Sequence, residues 1–235
     1  MTGVWLFMRA EARRRWRAWL SLALIVGVFA GGVVTAAAGA LRTGSAYARF
    51  LDWSRAPDAV VAAEPYTSSF ARLSPAAVMR VPQVADAAVI KTILPDGSII
   101  SLQVPASNAI PGQFWERKIL SGRLADSREP DEVNISFALA QRTHLRVGDP
   151  LRLVMTTAGR RVPFVFHVVG IDAAQGEFPP QPGNGTYTVW GTPAFYRQHR
   201  ALDGFIQVAL RFHHGSSDWP AARQELRRDA HGKPI

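Results

Sequence analysis

Between Ala18 and Leu41 the chain reads AWLSLALIVGVFAGGVVTAAAGAL, a run without one charged side chain. Made helical, with a rise of about 1.5 Å per residue, it is long enough to cross a hydrocarbon core of roughly 30 Å. The run therefore predicts a transmembrane helix over 19–41. Its flanks give the direction. Arg9, Arg13, Arg14, Arg15 and Arg17 precede it against Glu11 alone, whereas Arg42, Arg49 and Asp52 follow it. The positive-inside bias keeps such an N-terminus cytoplasmic and sends the rest of the chain across. Trp16 and Trp19 stand where an interfacial aromatic belt would place them. A cleaved signal peptide is the competing reading, because Ala36-Ala37-Ala38 offers small residues after an apolar core. The length of the run and of the basic region ahead of it favours retention.

Of the net charge of +9, the five arginines and one glutamate of residues 1–18 hold +4, leaving +5 for everything after them. A mildly basic remainder without a zinc-finger, RNA-recognition or helix-turn-helix signature argues against a nucleic-acid partner. The sequence has no cysteine, so an exported domain would stand on its apolar core without disulfides. From Val4 to Trp19, through the arm of residues 1–18, Trp5, Met8, Ala12, Trp16 and Trp19 recur at three- and four-residue steps while Arg9, Arg13, Arg14 and Arg17 occupy other positions. That spacing predicts an amphipathic basic arm lying on membrane lipid. The alternative is that these arginines only set topology. Gly27, Gly31, Gly32, Ala36 and Gly39 or Ala40 form a small-residue face on which a second membrane helix could pack.

Beyond the run, Tyr47, Phe50 and Leu51 extend the helical pattern until Pro57. Asp58–Glu64 reads as a short buried strand. Ser74-Pro75 is an N-cap with proline at the first helical position, opening a helix over Ala76–Arg80. Val84–Thr92 and Ser98–Val104 form a hairpin around Pro95-Asp96-Gly97. Glu132–Ser136 is a strand feeding a helix over Phe137–Thr143, then a Gly-Asp turn and a strand over Leu151–Val154. In Arg161–Ile171 the apolar residues Val162, Phe164, Phe166 and Val168 alternate as in a half-buried strand that Gly170 ends. Gly191-Thr-Pro-Ala-Phe195 opens a short helix, Phe205–Phe212 is a strand, and a last helix runs from about Ser217 to Asp229. The expected class for 42–235 is an α+β ectodomain of two small mixed α/β subdomains meeting near Gln103–Arg123.

Four pieces of the middle form one ordered series: Ile119-Leu-Ser-Gly-Arg-Leu124, then Glu132-Val-Asn-Ile-Ser136, then Val147-Gly-Asp149, then Val168-Val-Gly-Ile171. With their acidic linker and Ala-containing helix they resemble the extracytoplasmic core domain of MacB/FtsX-like permeases of ABC transporters. An arginine-rich N-terminus and one spanning helix precede that domain in the family too. The resemblance implies a permease subunit in the cell membrane that couples ATP hydrolysis on a separate ABC ATPase to movement of its extracytoplasmic domain. It also implies a second permease chain as partner. The family carries further spanning helices after this domain, while this sequence ends at Lys233-Pro234-Ile235, which reads as a fragment, a truncated frame or a half working with another chain. A single-pass anchored domain that recruits an envelope partner, without transport, is the alternative.

Catalytic signatures are missing from the sequence: it contains no HExxH, no GxSxG and no GxxxxGK[ST]. No catalytic, cofactor-binding or metal-ligating residue is therefore assigned, and no enzyme activity is expected. His213-His214 with Asp218 is the nearest thing to a metal cluster, but neighbouring residues of a strand face opposite ways. Glu129, Asp131 and Glu132 read as a solvated loop before a strand rather than an acid/base set. Asn134-Ile-Ser136 and Asn184-Gly-Thr186 match glycosylation sequons, and Gln175–Gly185 is a Pro/Gly-rich loop read as a surface excursion.

Overall fold

The computed structural model describes residues 16–17, 20–32, 35–36, 44, 46, 49–64, 73–97, 99–110, 114–173 and 186–230. The chain divides into two compact units, Met1–Phe50 and Leu51–Ile235. In the first, 20–32 is helical. Its large apolar side chains, Leu22, Leu24, Val28 and Phe29 among them, are all exposed. The other residues of the 19–41 run are described only in part, and most of the basic arm lies outside the described residues. Among the described residues no helix is long and apolar enough to cross a membrane.

The second unit is built on one sheet. Its strands are β1 (Ala59–Glu64), β2 (Val84–Ile93), β3 (Ile100–Pro105), β4 (Lys118–Gly122), β5 (Glu132–Ser136), β6 (Pro150–Thr157), β7 (Arg160–Ala173), β8 (Tyr187–Trp190) and β9 (Phe205–Phe212). Helices α1 (Pro75–Val78), α2 (Phe137–Thr143), α3 (Pro193–Gln198) and α4 (Trp219–Asp229) pack around them. The strand order is β1-β9-β2-β3-β8-β5-β7-β4, with β6 also on β7. The pairs β3–β8 and β5–β7 are parallel.

Local chemistry explains most of these elements. Ser74, Ser136 and Thr192 cap α1, α2 and α3, each hydroxyl accepting from a backbone N–H three residues on. Gly97, at φ +63°, turns β2 into β3. Ala158 and Gly159, both at positive φ, make the two-residue turn from β6 to β7.

Among the described residues three apolar clusters fill the unit. Leu102, Ile135, Leu139, Met155, Phe166 and Phe195 belong to the first, between α2, α3 and the β3-to-β7 side of the sheet. Val61, Val78, Leu210 and Leu226 belong to the second, where α1 and α4 cover β1 and β9. Ile90, Ile110, Phe114 and Trp190 belong to a smaller third. The structure thus corrects the expectation of two small subdomains. Two larger cores exist, but β3 hydrogen-bonds to β8 across the expected junction and makes the strands one sheet. The end of the long strand is corrected too: β7 runs past Gly170 to Ala173.

Candidate functional site

Edge strand β4 carries an organised polar group at each of its two ends. β4 pairs with β7 on one side and ends the sheet. Its register slips between Ile119 and Ser121, so Leu120 bulges out and is 53% exposed.

At the C-terminal end of β4 the chain turns at Gly122, φ +75°, and passes directly over β7. A Cβ on Gly170 would lie 2.2 Å from the Arg123 carbonyl oxygen and 2.4 Å from Asn134 Nδ2. Gly170 is there to let the backbones touch, and the strand continues through it. Buried Asn134 holds the crossing: its Nδ2 donates to the Arg123 carbonyl at 2.7 Å, and its Oδ1 accepts from Ala125 N–H at 2.9 Å. Arg123 Nη1 and Nη2 donate to Glu132 Oε2 and Oε1 at 2.7 and 2.5 Å, a two-point pair, and Asp126 N–H adds a bond to Oε2 at 2.9 Å. The hydrogen bond from Arg123 holds the Glu132 carboxyl below its ordinary range. Asp126 is drawn down to about 2 by its hydrogen bonds from Arg128. The Val147-Gly-Asp149 turn joins the same place, since Gly148 N–H donates to the Val168 carbonyl at 2.7 Å and Val168 N–H to the Asp149 carbonyl at 3.1 Å.

At the N-terminal end, a lead-in segment, residues 114–117, brings Trp115 in at φ +47°. Its ring meets that of Trp190 at 5.7 Å, and the Arg117 guanidinium lies 4.9 Å from the Trp190 ring centre. Arg117 Nη1 stands 3.7 Å from Asp172 Oδ2, and both side chains are buried. Burial pushes Asp172 up to about 6, opposed by the Arg117 charge.

Between the two ends an open, mainly apolar groove of about 370 Å³ runs beside β4, lined by Leu120, Phe137, Ala140, Leu145 and Ile171 together with His144 and Arg146. Leu124 and Val147 expose further apolar surface from the flanking turns.

The side chains singled out in sequence fall elsewhere or serve the fold. Glu132 belongs to the clamp described above, Asp131 Oδ2 lies 3.7 Å from His167 Nε2, and Glu129 lends its carbonyl to the Thr192 hydroxyl at 2.8 Å. These carboxylates do not converge on one point. His214 Nδ1 pairs with Asp218 Oδ2 at 3.1 Å beyond the end of β9, while His213 uses its N–H on the Gln83 carbonyl. Among the described residues no three His, Cys, Asp or Glu gather as a metal site. Asn134 spends its amide inside the protein, so its sequon is not an accessible acceptor. Asn184 and the Gln175–Gly185 loop lie outside the described residues. Sequence reading missed Arg117, Asp172 and Trp190. The available signal was an aspartate within the apolar end of a strand, at Gly170-Ile-Asp-Ala173.

No protein-family model matches the chain, and no curated protein matches it in sequence. In structure it is similar to the extracellular domain of the ABC-type transporter YknZ from Gram-positive bacteria, with 12% identity and a TM-score of 0.41, covering 74% of this chain and 94% of that one. It is similar also to the periplasmic region of MacB from Actinobacillus actinomycetemcomitans, with 10% identity and a TM-score of 0.41, covering 74% and 84%.

Proposed function

We propose that this chain is the membrane-anchored N-terminal part of a permease subunit of a MacB/FtsX-like ABC transporter. ATP is hydrolysed on a separate ATPase subunit, and residues 51–235 work as a moving extracytoplasmic part with no chemistry of their own. One observation carries the reading. The four pieces by which the sequence resembles that family are far apart along the chain, yet Gly122-Arg123, Glu132 with Asn134, Gly148-Asp149 and Val168-Val-Gly170 meet in a single clamp. A resemblance spread over unrelated surface positions would have no such meeting point. The apolar helix over 20–32, exposed on every described side chain, supports the anchor, because a helix apolar all round needs lipid or protein around it.

The test is affinity capture of the full chain from detergent-solubilised native membranes, beside the fragment 51–235. The full chain is expected to bring down a protein with a phosphate-loop ATPase motif, and the fragment is not. Replacing Arg13, Arg14, Arg15 and Arg17 by Glu should weaken that capture or invert the topology while leaving residues 51–235 folded. The groove beside β4 favours a second reading, an anchored domain that recruits an envelope partner. If the fragment alone recovers the same partners as the full chain, that second reading replaces the transporter.

A further inference from the structure

Asp172 is fully buried near the end of β7, with Ile119 of β4 and Ser136 of β5 opposite it in register. Neither of its carboxyl oxygens has a hydrogen-bond partner among the described residues, and the same holds for Arg117 Nε and Nη1 and for Trp190 Nε1. Arg117 and Asp172 are therefore a buried pair held at 3.7 Å without the hydrogen bonds that normally offset the desolvation of two charges. While both groups are ionised, the attraction between the segment before β4 and β7 is set against the lost hydration of two buried charges. It lies where the lead-in segment joins β4 to the sheet.

We propose that Asp172 is a proton-binding site whose occupancy sets how firmly β4 and its lead-in segment are held on the sheet. With Asp172 ionised, lifting the lead-in segment lets water reach both charges, and this open arrangement gains. When a proton from solvent bonds to a carboxylate oxygen of Asp172, one buried charge is gone. Arg117, whose charge is itself disfavoured by burial, is left over the Trp190 ring and beside Glu116, and the closed arrangement is kept. No other bond forms or breaks.

The surroundings single out this carboxyl. Arg117 is the one charged group acting on it among the described residues. Ile119 and Ser136 do not titrate here, and Lys118, opposite Ala173, is exposed. Burial outweighs the Arg117 attraction and raises Asp172 from 3.8 to about 6 in the closed arrangement. A raised value means that the closed arrangement binds the proton more tightly, so it gains as pH falls through 6 towards 3.8. Between pH 7.5 and pH 5 the closed-to-open ratio is expected to rise about tenfold.

The inference stands apart from the transporter reading, since its test needs only the full-length chain in detergent micelles. Hydrogen exchange of the β4 amides is measured at pH 7.5 and pH 5 and expressed as protection factors, which removes the intrinsic pH dependence of exchange. Protection is expected to be about tenfold higher at pH 5 in the native chain. In Asp172→Asn it should be independent of pH, while His144→Gln and His167→Gln together should leave the effect in place. Equal protection at the two pH values, or an effect that survives Asp172→Asn, overturns the proposal. Because the Asn variant could fail to fold, the protonated-carboxyl infrared band of the native chain is followed as well. A band near pH 6 that the clamp carboxylates cannot supply supports the proposal, and its absence above the ordinary aspartate range overturns it.

Discussion

Gly170 and Asn134 show how little room the clamp leaves. Any side chain at 170 would drive into the Arg123 carbonyl, which is backbone and cannot swing aside. Gly170→Ala in residues 51–235 is expected to lower stability by about 3 kcal/mol, the upper end of what overpacking costs, read from the urea midpoint. At the same scale the carboxylates respond to acid with opposite signs. Asp126 and Glu132 are held below their unfolded values by Arg128 and Arg123, so what they contribute is present above those values and lost as pH falls through the folded ones. Asp172 is raised, so its contribution grows as pH falls from about 6 to 3.8. His199, lowered by burial against Phe164 and Phe195, loses stability on acidification and partly masks that gain. The expected outcome is therefore stated as a difference: native chain minus Asp172→Asn, by thermal unfolding, should become more favourable to the native chain between pH 7 and pH 4. A flat difference would contradict the burial argument.

Elements whose signals are local were legible. The hydroxyl–proline start of α1, the Pro95-Asp96-Gly97 turn and the alternation in β7 each lie within a few neighbouring residues. β4 was not legible as a strand, because Lys118-Ile-Leu-Ser-Gly122 has no alternation and takes its shape from β7. β8 is four residues long and is defined by β3 and β5, which are distant in sequence. The clamp pieces were visible as a series, but their meeting was not, and the Arg117–Asp172 pair depends on a contact that spacing cannot reveal. One element-scale prediction concerns the bulge. Leu120 faces outward from an edge strand, so Leu120→Glu should change stability by less than about 0.5 kcal/mol. If the groove is a docking surface, the same variant should lose capture of extracytoplasmic partners. Full capture by a folded variant would remove the groove from consideration.

At the scale of the whole molecule, residues 51–235 are one sheet with helices on it, and their first strand lies against their last. Asp58 N–H donates to the Leu210 carbonyl at 2.8 Å, and the β1–β9 ladder runs from there, antiparallel, to Glu64 opposite Ile206. This arrangement decides how the unit yields when pulled. Tension between the start of β1 and the end of β9 acts across the ladder, so its bonds open one at a time like a zipper. Tension between the start of β1 and the start of β9 runs along the strands and loads all the bonds together. The sequence has no cysteine, so introduced thiols are unique handles. In a single-molecule pulling experiment the pair Pro57→Cys with His213→Cys should rupture at lower force than Pro57→Cys with Asp203→Cys. Equal rupture forces would mean that the helices over β1 and β9, rather than the ladder, resist the load. Where the ladder bears the load, a pull between the start of β1 and the end of β9 peels the edge softly and leaves the sheet interior and the Arg123–Glu132 clamp intact.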